Sequence, residues 1–288
     1  MPILSEMHPL SAMHRGARRA GLILALPLAL AFLAGCESND EEVAFQERPV
    51  EELYNQAFDQ MIQGNYQESA KLFDEVERQH PYSQWASKAQ VMAAFAHYQR
   101  NAYDDSINAL DRFIQLHPGN EDIAYAYYLR ALGYYEQISD VGRDQGMTQL
   151  ALNSLDELVR RFPDSKYARD ASLKIDLARD HLAGKHMEIG RFYQNQSEYL
   201  GAINRFRVVI DQYQTTTHVP EALHRLVECY IALGIYNEAQ STAAVLGHNF
   251  PGSAWYGDSY AMLVDADLEP EVEVDEDSWI SQAWDSVF

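Results

Sequence analysis

The stretch Tyr66-Gln67-Glu68-Ser69-Ala70-Lys71-Leu72-Phe73-Asp74-Glu75-Val76-Glu77-Arg78-Gln79-His80-Pro81 decides the fold, because its pattern returns four more times along the chain. It ends on a histidine followed by proline. Similar endings stand at Gln115-Leu116-His117-Pro118, Arg160-Arg161-Phe162-Pro163 and His248-Asn249-Phe250-Pro251, and without the proline at Asp211-Gln212-Tyr213-Gln214. Fourteen residues before these five anchors lie Tyr66, Tyr103, Thr148, Tyr199 and Tyr236. Seven before lie Phe73, Leu110, Leu155, Phe206 and Ala243, and four before lie Val76, Phe113, Leu158, Val209 and Leu246. Such offsets put the apolar side chains on one helical face. Proline then stops the helix, since it lacks an N–H and its ring clashes with the preceding turn.

Successive anchors are 37, 45, 51 and 37 residues apart. That is close to the roughly 34-residue period of tetratricopeptide repeats, with room for extra turns in the middle units. The last unit keeps the family spacing best, through Leu223, Leu226, Tyr230, Gly234, Tyr236, Ala239 and Pro251. Small residues such as Ala57 and Gly190 let two antiparallel helices approach, and aromatics fill between them. One hairpin cannot bury its own apolar face, so each stacks on the next. The expected fold is all-α, a tetratricopeptide-like solenoid of about five helix pairs over residues 50–263. Its units fall near 50–82, 83–119, 120–166, 167–216 and 217–263.

Working outward to the N-terminus, Arg15, Arg18 and Arg19 precede the apolar run Leu22 to Leu33, which closes on Leu33-Ala34-Gly35-Cys36. That order marks a secretory signal over 1–35, with a run too short to span a bilayer. Small residues directly before cysteine resemble the bacterial lipobox, which implies a diacylglycerol on the Cys36 thiol. Several acyl chains, at about 0.8 kcal/mol per buried CH₂, anchor firmly. Glu37 in place of Asp after the cysteine points to the periplasmic face of the outer membrane, by the enterobacterial sorting rule. Met13 makes a more typical signal start than Met1. Residues 36–49, with Glu37-Ser38-Asn39-Asp40-Glu41-Glu42, read as an acidic tether.

The net charge of −21 makes nucleic acid and anionic headgroups poor partners. Cys229 is the only other cysteine, so no disulfide is expected, and it reads as a small core residue. A Gly-rich phosphate loop, Gly-x-Ser-x-Gly and His-Glu-x-x-His are all missing, which argues against an enzyme and against a cofactor or metal. His181 and His186 are five apart and point to different sides of a helix, so they make no two-ligand face. His80 and His117 are expected on the C-terminal carbonyls of helices. The pair Asp104-Asp105 reads as a solvated face.

The first helices of units one to three supply Tyr54, Phe58, Phe95, Tyr98, Tyr125 and Tyr128. Together they would line a groove for an extended or helical apolar peptide, although any one of them also fits a core position. The loop Ser139-Asp140-Val141-Gly142-Arg143-Asp144-Gln145-Gly146 is longer than a repeat needs. It is either a tolerated insertion or a partner contact through Asp140, Arg143 and Asp144. From 264 to 288 the chain is an acidic tail, in which Trp279, Ile280, Ala283, Trp284 and Val287 share one helical stripe. The segment 278–288 is expected either to dock in a partner's groove through Trp279 and Trp284 or to cap the last repeat.

Two strings are narrower than the repeat itself: Leu158-Val159-Arg160-Arg161-Phe162-Pro163-Asp164-Ser165-Lys166-Tyr167-Ala168 and Leu182-Ala183-Gly184-Lys185-His186-Met187-Glu188-Ile189-Gly190-Arg191-Phe192-Tyr193. With Tyr134 to Val141 and the lipobox, they resemble the alphaproteobacterial branch of the BamD/ComL family of outer-membrane lipoproteins, over roughly residues 33 to 260. The resemblance implies a subunit of the β-barrel assembly (BAM) machinery that binds BamA and other BAM subunits. It also implies that the N-terminal repeats hold the C-terminal segments of unfolded outer-membrane proteins, and that the C-terminal repeats hold the other subunits. The acidic tail departs from the family pattern. Two other readings stand beside this one: a different periplasmic scaffold lipoprotein, of cell division or pilus assembly, and a hydrolase that works in an acidic groove. Only the first should copurify with BamA, and the last needs a convergent carboxylate pair or metal site.

Overall fold

The positions at minus seven and minus four from the five anchors set the architecture. In a computed structural model, which describes residues 47–268, all ten of them are fully buried at 0% exposure. Among the described residues the chain forms eleven helices and no strand. These are α1 (Val50–Ile62), α2 (Tyr66–Gln79), α3 (Gln84–Gln99), α4 (Tyr103–Leu116), α5 (Ile123–Tyr135), α6 (Gly146–Arg161), α7 (Ala168–Asn195), α8 (Tyr199–Gln212), α9 (Val219–Ala232), α10 (Tyr236–Asn249) and α11 (Ala254–Asp265). Each helix packs on the next in sequence, giving five antiparallel pairs followed by α11. First helices also touch across units, α1 with α3, α3 with α5 and α9 with α11.

Every second helix ends alike. The anchor N–H donates to the carbonyl four residues back: His80 to Val76 (3.0 Å), His117 to Phe113 (2.8 Å), Phe162 to Leu158 (2.8 Å), Tyr213 to Val209 (3.0 Å) and Phe250 to Leu246 (2.9 Å). Four of the five begin at the tyrosine the spacing marks, and α6 begins at Gly146, two residues before Thr148.

The turn from first to second helix is also repeated. Its tight reversal needs a left-handed residue, supplied by Gly64 (φ 80°), Asn101 (61°), Ser197 (61°) and Gly234 (73°). The N–H after each reaches back five residues, as in Asn65 to Gln60 (2.9 Å) and Ala102 to His97 (3.0 Å). Only the third unit replaces this turn, with the loop that joins α5 to α6.

The core forms three clusters, the first around α1 to α3, the second from α3 to α7 and the third from α7 to α11. Phe95 packs against the first and second, and Tyr213 against the second and third. The 28-residue α7 contributes Ala171, Ile175, Ala178 and Leu182 to the second cluster and Ala183 and Met187 to the third. Gly190 brings α7 onto α8, where a Cβ would run into the Phe206 ring.

The solenoid has an eleventh described helix, because Ala254–Asp265 restarts after Pro251-Gly252 in the place of a further first helix. The His80 Nε2 lies 2.7 Å from the Arg48 carbonyl, where the segment before α1 crosses beside it. Cys229 is fully buried and unbridged, and burial pushes its thiol up to about 12. Among the described residues no helix is long and apolar enough to cross a membrane.

Candidate functional site

Because first helices stand side by side in the stack, residues one or two turns apart on α3, α5 and α7 meet across the units. Tyr98 of α3 donates to Glu136 at the end of α5 (3.1 Å), and Tyr128 of α5 donates to Asp170 of α7 (2.6 Å). Tyr167, at the mouth of α7, stacks on Tyr128 with centroids 4.9 Å apart and planes at 20°, and lies 5.5 Å from Tyr125. Lys174 pairs with Asp170 at 3.2 Å and sits 5.3 Å from the Tyr135 ring. Burial pushes Tyr125 up to about 12, with Tyr167 and Asp122 adding to it. Burial also raises Tyr98 and Tyr128, reinforced by the carboxylates they bond. All three phenols therefore stay protonated at neutral pH, as hydroxyl donors with uncharged ring faces.

Three predicted groove residues, Tyr98, Tyr125 and Tyr128, thus come together. Tyr54 pairs instead with Trp85 (4.7 Å) and Phe73 (5.2 Å) against the first core cluster, and Phe58 is 41% exposed. Phe95 belongs to the joint between two cores. The pattern reading missed Trp85, Tyr167 and Glu136, and did not see that the face runs on to α7 through exposed Leu173 and Leu177. A signal for the two aromatics was present: five residues after the anchors stand Trp85, Tyr167 and Trp255, each with its ring packed on a ring of the preceding first helix.

Beside this face an open cleft of about 780 Å³ lies between the α5–α6 loop and α7, lined by Glu136, Asp140, Val141, Leu177, His181 and Glu188 among others. The loop is pinned to α7: the His181 ring meets the Ser139 carbonyl (2.8 Å) and Lys185 donates to the Gly142 carbonyl (3.0 Å). Asp140 accepts from the Gly142 N–H (2.8 Å) and Asp144 from the Gly146 N–H (2.9 Å), so both carboxylates hold the loop's own turns. Gln145 bonds the carbonyls of Asp140 and Arg143 (both 3.1 Å). Arg143 is exposed. His186 is turned the other way, toward Tyr213 (5.9 Å), and burial lowers its pKa. Among the described residues no group of three His, Cys, Asp or Glu could hold a metal ion. Cys36, Trp279 and Trp284 lie outside the described residues.

A stack of helix pairs that aligns aromatic side chains across its first helices defines a helical-repeat scaffold. The chain belongs to the YfiO family, described as outer membrane lipoproteins, whose profile matches residues 46–265. It is 48% identical over 257 residues to the outer membrane protein assembly factor BamD of Caulobacter vibrioides, covering 88% of this chain and 84% of that one. To the protein of the same name from Rickettsia prowazekii it is 44% identical over 242 residues, covering 84% and 96%. Among solved structures, the TPR2AB domain of yeast Sti1 in complex with an HSP90 peptide is similar at a TM-score of 0.40 and 11% identity, over 76% of this chain and 84% of its own.

Proposed function

We propose that this chain is a non-catalytic assembly factor for outer-membrane proteins, held by a lipid on Cys36 at the periplasmic face of the outer membrane. Its tyrosine face receives the C-terminal segments of unfolded outer-membrane proteins, and the scaffold as a whole binds BamA. The observation that carries the reading is the alignment of Tyr98, Tyr125, Tyr128 and Tyr167 across three first helices, continued by exposed Leu173 and Leu177. Neutral phenols on a rigid stack give an extended, aromatic-bearing peptide both ring faces and hydroxyl donors. The assembly role of the two relatives supports it. The polar groups of the neighbouring cleft favour a scaffold over an enzyme, because His181, Lys185 and Asp140 already hold the loop in place. Asp140, Arg143 and Asp144 belong, on this reading, to a partner contact presented by that loop.

The test uses the tagged full chain and its Tyr98→Ala/Tyr128→Ala variant, drawn from the native membrane in detergent. Both should bring down BamA. The variant should bind a synthetic C-terminal peptide of an outer-membrane protein about tenfold more weakly, as expected for losing two aromatic anchors. Absence of BamA from the native pull-down sinks the partner assignment, and unchanged peptide binding sinks the assignment of the face.

A further inference from the structure

The turn that carries a first helix into its second occurs once more, at the end of α11. Asp267 is left-handed (φ 59°), its N–H donates to the Val264 carbonyl (3.0 Å), and the Leu268 N–H reaches back to Leu263 (2.8 Å). The corresponding bonds in the preceding unit are Gly234 to Ile231 (3.0 Å) and Ile235 to Tyr230 (2.9 Å), and Tyr236 then opens α10. In all four earlier cases the residue after this turn starts a helix that lies on the first. So α11 ends as the first helix of a sixth unit.

Its inner side is complete. Ser259 bonds His224 (2.8 Å), Trp255 lies 5.2 Å from the same ring, and Leu263 is fully buried. Its outer side is not. Gly257, Tyr260, Ala261 and Val264 make one apolar strip, with Tyr260 48% and Val264 53% exposed, bordered by Asp258 and Asp265. At the other end of the stack, the exposed positions of α1 are mostly polar, Glu51, Glu52, Asn55, Gln56 and Asp59, with Phe58 and Ile62 exposed among them.

We propose that this chain's own C-terminal stretch, Trp279–Val287, covers the strip on α11 in cis, in the place of the second helix of the sixth unit. Trp279, Ile280, Ala283, Trp284 and Val287 recur with the helical period, and Gly257 and Ala261 leave room for the indole rings. A Cβ on Gly257 would meet nothing within 4 Å. Ten residues separate Leu268 from Trp279. At about 3.3 Å each they span far more than the 8–10 Å between packed helix axes. A short tether also holds its segment at an effective concentration in the millimolar range, which favours the chain's own tail over a free partner.

The full chain carrying Ala261→Cys and Ala283→Cys, in detergent under mild oxidant, tests the contact, with buried Cys229 silent. The expected result is a disulfide within one chain whose yield does not fall on dilution. Amide exchange over 279–287 should be slowed about tenfold or more in the native chain, and the slowing lost in Val264→Asp, whose exposed site leaves the fold intact. Disulfides only between chains overturn the proposal. Unprotected amides in the isolated chain that become protected only when the assembly complex is added overturn it too, in favour of a partner.

Discussion

Gly190 sits where two helices come closest, and the Phe206 ring fills the space a side chain would need. Gly190→Val should lower stability by about 2–3 kcal/mol, read as a shifted urea midpoint. Gly119→Ala, with nothing within 4 Å, should leave that midpoint where it is. Glu228 joins α7 to α9: burial works against its charge, but His224, Gln194 and Arg225 outweigh it and hold the carboxyl down to about 2. A depressed carboxylate contributes stability above its ordinary range and loses it as pH falls toward the folded value. The melting temperature should therefore drop between about pH 4.5 and 2, and Glu228→Gln should be less stable at neutral pH with a shallower acid limb. An acid limb unchanged in the variant would remove Glu228 from this account.

The turns between paired helices carry the next expectation. Ser197 pays the steric penalty of a left-handed conformation that Gly64 and Gly234 escape. Ser197→Gly should raise stability by up to about 1 kcal/mol, and Gly234→Ala should lower it by a similar amount. Matched chemical denaturation of the two variants checks both signs. The second helices were legible in the sequence because positions such as Phe73 and Val76 must be apolar in every unit. The first helices were less so: α3 reads Trp85-Ala86-Ser87-Lys88-Ala89, with small residues on several sides and little periodic contrast. Nothing in the 51-residue spacing of the fourth unit separates one 28-residue helix from two shorter ones. For α11, the Pro251-Gly252-Ser253 lead-in matches Pro81-Tyr82-Ser83 ahead of α3 and was the available signal.

At the scale of the whole stack, Phe95 and Tyr213 are the side chains that join neighbouring cores. In a linear array cooperativity passes only between neighbours, and these side chains are part of that interface. Tyr213→Ala should split one unfolding transition into two, with amides of α9 and α10 exchanging at lower urea than those of α4 and α6. A single transition in that variant would mean that backbone packing, not Tyr213, couples the halves. The candidate face was only partly readable for a related reason: Tyr98 and Tyr125 are far apart in sequence and meet only through the stacking of units. The length of α7 carries the coupling further. Tyr167 and Asp170 at its start hold the tyrosine face, while Arg191 and Gln194 near its end grip Glu221 (3.0 Å) and Glu228 (2.8 Å). An unbroken helix is a stiff rod, and about 24 residues of it measure roughly 36 Å. The tyrosine face and the Glu221 and Glu228 contacts are therefore mounted on opposite ends of one continuous strut, which fixes the spacing between the two halves of the stack.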